Sequence, residues 1–229
     1  MSRLTPRSES PALLRLTDRD EEVLVTLATK VRLMTLDQIV RTWWGRTPAS
    51  TATRTASRRL LRLVSSGHLA TMRRPARSEL RLTAPLAVWK PGRPKPAFAS
   101  LAQVGRSRLR GPVRSTRIYL ASPGTARRIC GVTTRPPRLG EVTHDLHVAT
   151  VFLYFRLHRA PEAARWRAEW MPDPARLAGK RRTPTATPDA LIERARHPTA
   201  IEFVGHYTPD KLLRLHEHCA ARHTTYELW

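Results

Sequence analysis

The chain has 229 residues, 41% of them hydrophobic, which is enough for two small packed domains or one large one and too apolar for disorder throughout. Its 41 Lys and Arg against 18 Asp and Glu give a formal charge of +23 and a pI near 11.7, so a polyanion is the expected partner and nucleic acid the first candidate. No apolar run approaches the ~18 residues of a membrane span, and the start does not read as a signal peptide; no membrane role is expected, and the cytoplasm is the expected compartment.

Only five of the basic residues are lysines (Lys30, Lys90, Lys95, Lys180, Lys211), so the charge is mostly guanidinium, suited to bidentate phosphate and guanine contacts. An arginine-biased coding composition would leave the same field. Cys130 and Cys219 stand in no paired CxxC spacing, which argues against a zinc finger or a disulfide framework.

Thr17-Asp18-Arg19-Asp20 approximates a capping box and predicts a helix with a core face of Leu24, Leu27, Ala28 and Val31. A second box, Thr35-Leu36-Asp37-Gln38, opens a short helix with Leu36, Ile39, Val40 and Trp43 at helical spacing, ending near Gly45. A third helix is predicted from about Ser50 to Ser66, burying Ala56, Leu60, Leu63 and Val64 and stopping at Gly67. Its other face carries Thr51, Thr53, Arg54, Thr55, Arg58 and Arg59, the expected DNA contacts.

This order matches a helix-turn-helix whose third helix enters the major groove. "HLATMRR", "PARS" and "ELRLTA" then read as a β-hairpin, the wing of a winged helix, with Arg73, Arg74 and Arg77 at its tip for phosphate or the minor groove. Further on, a strand (86–89), a helix (98–108), a strand (117–121) and a helix ending at Gly131 are expected. The predicted first unit is 14–131, followed by a linker at 132–140, where prolines and a glycine break any periodicity.

From Thr143, "THDLHVATVFLYFRLHR" predicts a largely buried helix. Strands at 164–170, 187–193 and 199–205, a helix at 209–222 and a last strand at 224–229 complete a unit over 141–229. The chain is therefore expected to be α+β, and the αβββαβ order of its second unit is that of the restriction-endonuclease-like core. In such a core Asp189 and Glu202 would hold Mg²⁺, whose bound water attacks a phosphodiester, with Glu141 or Glu169 as a third acid. Strand alternation puts Glu202, Val204 and His206 on one face, so an aliphatic residue occupies the position of the expected lysine. His206, one pair further along that face, is then the candidate catalytic replacement for the missing basic group, which would stabilise the developing charge or position the water, with Arg196 or Lys211 reaching in as the other candidates. The pairs His144/His147 and His216/His218 with Cys219 lie in different elements and meet no four-ligand zinc spacing. His144 and Asp145 either cap the helix or line the acidic pocket.

"LTDRDEEVLVTLATKVRLMTLDQIV", "HDLHVATVFLYF", "PDALIE", "IEFVGHY" and "HEHCAARHTTYELW" together resemble the replication-relaxation family of mobile-element proteins. The resemblance implies a winged helix followed by a domain similar to PD-(D/E)XK nucleases, and a role in plasmid replication or DNA relaxation. It places Pro188-Asp189 at the PD element and Glu202-Phe203-Val204 at the (D/E)XK element, with the departure at Val204. The expected function is double-stranded DNA binding. A metal-dependent endonuclease or nicking enzyme is one alternative, and a dimeric regulator assembled through its C-terminal unit is another.

Overall fold

The computed structural model describes residues 14–133, 135–171, 187–194 and 197–229, and shows an α+β protein. Helix α1 (Asp18–Thr29) starts on the expected reciprocal box: Thr17 caps the Asp20 amide while the Asp20 carboxylate accepts the Thr17 N–H at 2.8 Å. Strand β1 (Met34–Thr35) leads into α2 (Leu36–Trp43), capped in the same way by Thr35 and Gln38. Helix α3 (Ala49–Ser65) buries Ala52, Ala56, Leu60 and Leu63, a stripe at i, i+4, i+8 and i+11, and leaves Val64 at its margin.

The predicted hairpin is corrected by the structure. Strand β2 (Leu69–Arg77) does not pair with 79–84. Its antiparallel partner is β4 (Val113–Ala121), in a sheet of order β1-β4-β2. Pro75, read in sequence as part of the turn, lies inside β2, which it can do because β2 is an edge strand and the missing N–H faces away from the ladder. Beyond Arg77 the chain is drawn off the sheet: Glu79 pairs with Arg41, and the Leu80 amide donates to His147 Nε2 at 3.2 Å.

The segment between β2 and β4 belongs with the C-terminal sheet. It supplies β3 (Ala87–Trp89), which pairs with the last strand of the chain, and α4 (Phe98–Arg108). After β4 and α5 (Pro123–Cys130, ended by Gly131 at φ 73°), a 3₁₀ turn (Leu139–Glu141) runs into α6 (Val142–His158) and the short α7 (Ala160–Ala164). Then come β5 (Trp166–Ala168), β6 (Ala190–Ile192), β7 (Thr199–Glu202), α8 (Pro209–Ala220) and β8 (Thr225–Leu228). The second sheet has the order β3-β8-β7-β6-β5; β7 and β8 run parallel and the other pairs antiparallel.

Alternation sorts this sheet into two packed faces. Ile192, Ile201, Phe203 and Trp229 join Phe152 and Phe155 of α6 in a core continuous with Leu27, Leu60 and Trp43 of the N-terminal helices. Ala200, Val204, Tyr226 and Leu228 pack on the other side against Phe98 and Ala102 of α4 and Leu212 and Leu215 of α8. The N-terminal helices are tied directly to the second sheet. Lys30 Nζ donates to the Trp166 carbonyl at 2.7 Å, the Trp166 indole donates back to the Lys30 carbonyl, and Gln38 Nε2 reaches the Leu146 carbonyl at 2.9 Å. The 132–140 stretch therefore does not separate two independently packed cores.

Gly105 lets α4 lie this close. A Cβ there would sit 2.7 Å from Val204 Cγ1 and 2.8 Å from the backbone oxygens of Val204 and Gly205. Gly105→Ala is expected to destabilise the fold by about 1–3 kcal/mol, the usual range for overpacking. Chemical denaturation checks it, and an unchanged midpoint would show that α4 moves away at no cost.

Candidate functional site

The start of β6 and the end of β7 meet beneath the first turn of α6, bringing together Asp189 and Glu202. Asp189 Oδ1 lies 2.7 Å from His144 Nε2, and Asp189 Oδ2 accepts the Phe203 amide at 2.8 Å. Glu202 Oε2 accepts the Asp189 amide at 3.0 Å, and Glu202 Oε1 accepts the Tyr207 hydroxyl at 2.6 Å. Lys211 Nζ stands 3.9 Å from the same Oε1 and 3.2 Å from the Tyr207 ring centroid.

Burial, reinforced by the charge of Asp189, drives the Glu202 carboxyl well above the ordinary carboxylate range, against the Tyr207 hydrogen bond and the charges of His144 and Lys211. Burial alone would depress the His144 imidazole. The charge and hydrogen bond of Asp189 overcome it and, with Glu202 and Asp145, raise the value to about 9. The arrangement pairs Asp189 with the His144 imidazole beside a buried carboxyl whose neutral form is favoured by its surroundings.

As arranged, these residues do not form the expected Mg²⁺ chelate: Mg²⁺ is held by ionised carboxylate oxygens aimed at one point, whereas the oxygens of Asp189 and Glu202 are directed to His144, Tyr207 and two backbone amides. Among the described residues no group of three or more His, Cys, Asp or Glu is placed to hold a metal ion.

His206 is not a member of the cluster. Backbone pairing with the C-terminal strand carries on only as far as Val204, whose amide donates to the Trp229 carbonyl at 2.8 Å, so the alternation that would have put His206 on the Glu202 face does not reach it, and its side chain is exposed. Val204 keeps the Glu202 face and is buried against Gly105. Of the other cations considered, Lys211 approaches Glu202, and Arg196 lies outside the described residues. His144, offered in sequence as a cap or a pocket residue, is the group that meets Asp189. Its neighbour His147 is structural, with Nδ1 2.6 Å from the Thr143 carbonyl and Nε2 taken by Leu80.

Beside the cluster opens a cleft of about 490 Å³ whose lining includes His144, Asp145, Asp189 and Trp170 and both expected third acids, Glu141 and Glu169. Arg32 bridges Asp145 at 3.1 Å and Glu141 at 3.4 Å and lies over Trp170. Burial raises Asp145 to about 6, against the charges of Arg32 and His144. The Arg135 hydrogen bond holds Glu141 near 2.

The cluster predicts the pH dependence of stability. A group whose folded pKa is raised contributes stability that is complete below its unfolded value and lost as pH rises through the folded one. For His144 that window runs from 6.5 to about 9, and the raised Glu202 acts in the same direction. Tm is therefore expected to fall between pH 6.5 and 9, and His144→Gln to flatten that fall; differential scanning calorimetry across the range checks both.

The second candidate surface is cationic. On α3, Thr51, Thr53, Arg54, Thr55 and Arg58 are exposed as expected, and neither arginine is ion-paired among the described residues. Arg59 departs from them: its guanidinium clasps Asp20, with Nε 3.0 Å from both carboxylate oxygens, and donates to the Arg15 carbonyl at 2.7 Å. It fastens α3 to the start of α1 and is not available to a ligand.

On the β2–β4 ribbon, the face that carries Leu69, Tyr119 and Ala121 into the core with α3 continues outward as Thr71, Arg73 and Arg77. Arg73 stands directly opposite Arg117, both exposed and neither ion-paired among the described residues. Arg74 takes the alternate face with Thr116, the side on which Met72, Ala76 and Ile118 pack against Val142 and Leu146. So Arg73 and Arg74 do not point at one ligand. Arg117 was missed in sequence because its partner was sought in the next segment of chain; the R-S-T-R spacing of β4 was the available signal.

Comparison with family models, curated proteins and solved structures returns no match for this chain. Its own geometry carries the functional assignment.

Proposed function

We propose that the protein binds double-stranded DNA through a winged helix-turn-helix formed by α1 to α3 and the β1-β4-β2 sheet. In this reading α3 lies in the major groove with Arg54 and Arg58 as its principal contacts, and the β2–β4 ribbon is the wing. The observation that carries it is the Arg73–Arg117 pair: like charges directly opposite on a ladder cost stability, and a phosphate backbone beside them offsets that cost. The net charge of +23 supports the same partner.

Removing both ribbon arginines (Arg73→Ala with Arg117→Ala) is expected to weaken binding to all duplexes alike and to reduce the slope of log Kobs against log salt by about 2, at about 0.9 per phosphate contact. A salt titration by fluorescence anisotropy measures it; an unchanged slope would remove the ribbon from the interface.

The C-terminal half supports the layout of a PD-(D/E)XK-like domain that lacks hydrolytic chemistry, because its acid pair is closed on His144, Tyr207 and backbone amides. Supercoiled plasmid is expected to remain intact with Mg²⁺ or Mn²⁺. Nicking that disappears in Asp189→Ala would restore the nuclease reading.

A further inference from the structure

The turn after β3 forms a further cationic surface, at the edge of the second sheet opposite the one that Lys30 holds. In Lys90-Pro91-Gly92-Arg93 the Arg93 amide donates to the Lys90 carbonyl at 3.1 Å, and Gly92 has φ 80°, the left-handed conformation that the third residue of a type II turn requires. The Trp89 indole donates to the Arg93 carbonyl at 2.8 Å, while its ring is buried, stacked on Tyr226 at 5.3 Å and edge-on to His216 at 4.8 Å. Pro91, Pro94 and Pro96 restrict the backbone further. The loop is thus ordered before any ligand arrives.

Its exposed side chains are Lys90, Arg93 and Lys95, none ion-paired among the described residues. The sequence holds no Asp or Glu between Glu79 and Glu141. A rigid loop with three free cations and no acid of its own matches the repeating charge of a nucleic-acid backbone, which Lys and Arg neutralise without regard to sequence.

Its position sets it apart from the edge of the sheet to which the N-terminal helices are tied. β3 is the outer strand of the second sheet, and β5, which α1 grips through Lys30, is the opposite edge. At about 4.8 Å per strand the two edges are roughly 19 Å apart. The turn leads into α4, on the face opposite α6. It also lies at the end of the sheet away from Glu202, since Trp89 pairs with Tyr226 whereas Glu202 pairs with Leu228.

We infer that Lys90, Arg93 and Lys95 seat a second duplex segment, so that one chain holds two pieces of DNA at once. This rests on the duplex-binding reading above, and the test separates the two. The full-length chain is bound to a short immobilised duplex and offered a second, labelled duplex of the same sequence. The wild type is expected to capture the label. The triple variant Lys90→Ala, Arg93→Ala, Lys95→Ala, which keeps Trp89 and the turn prolines, is expected to bind the first duplex as before and to capture at least about tenfold less of the second, because three phosphate contacts are lost. A triple variant that captures like the wild type would overturn the inference and indicate bridging through two copies of α3. A wild type that holds the first duplex but no label would overturn it alone, and a wild type that binds no duplex would sink both readings.

Discussion

Replacing Arg54 and Arg58 together by alanine is expected to weaken duplex binding by at least about 30-fold, with Tm unchanged. Each contact of this kind is worth about 1–3 kcal/mol, and 1.4 kcal/mol is tenfold. The two side chains lie one helical turn apart on the exposed face of α3, away from the buried stripe of Ala52, Ala56 and Leu60. Neither contributes an ion pair among the described residues, and alanine is the strongest helix former, so the helix gains nothing from keeping arginine there. A mobility-shift assay at fixed salt, alongside a thermal melt, measures both halves of the prediction. Retention of full affinity would exclude α3 as the recognition helix, whatever the rest of the surface does.

Arg59→Ala, one residue further along, is expected to do the opposite: destabilise the fold by roughly 3 kcal/mol and leave the affinity of the folded protein unchanged. Asp20 is 1% exposed and is held by Thr17 at one side and the Arg59 fork at the other. Removing the guanidinium leaves a buried carboxylate short of its main counter-charge. The Asp20 pKa is lowered on balance: burial raises it, but the hydrogen bonds from Arg59 and Thr17 outweigh that. Its stabilisation is therefore present above the ordinary carboxyl value and lost on acidification. Arg59→Lys should recover only part, because an ammonium cannot make the planar two-point contact. Combined with Asp20→Asn, Arg59→Ala should cost less than the sum of the two single changes, and denaturant melts of the four proteins test that coupling. Additive costs would mean that the two side chains do not act as a pair.

The neighbours Arg58 and Arg59 show where sequence reading succeeds and where it stops. Both sit on the polar side of one amphipathic helix, and periodicity alone assigns them the same role. What divides them is a residue on another helix. The same limit appears on the ribbon, where β2 was recognisable as a strand but its partner β4 lies beyond an inserted strand and helix. At the acid cluster, β6 and β7 are neighbours as expected, with Glu202 closing β7 and Asp189 just ahead of β6, and both expected third acids line the adjacent cleft. The extension of strand alternation to His206 failed because the backbone pairing that sustains it ends at Val204.

By itself the sequence determined the α+β class, both capping boxes, the order of the main C-terminal elements, the buried stripe of α3 apart from Ala52 and Val64, and the cationic character of the whole chain. These follow from short-range rules: hydrogen bonds between residues three apart, apolar spacing at 3.6 or 2 residues, and summed charge. The tertiary structure decided that 87–108 builds the second sheet, that Arg59 is consumed by Asp20, that Arg73 faces Arg117, and that the acid pair closes on His144 and Tyr207. Each of those depends on contacts between residues distant in the chain, selected by how complete elements bury their apolar faces against one another, and no local pattern encodes that choice.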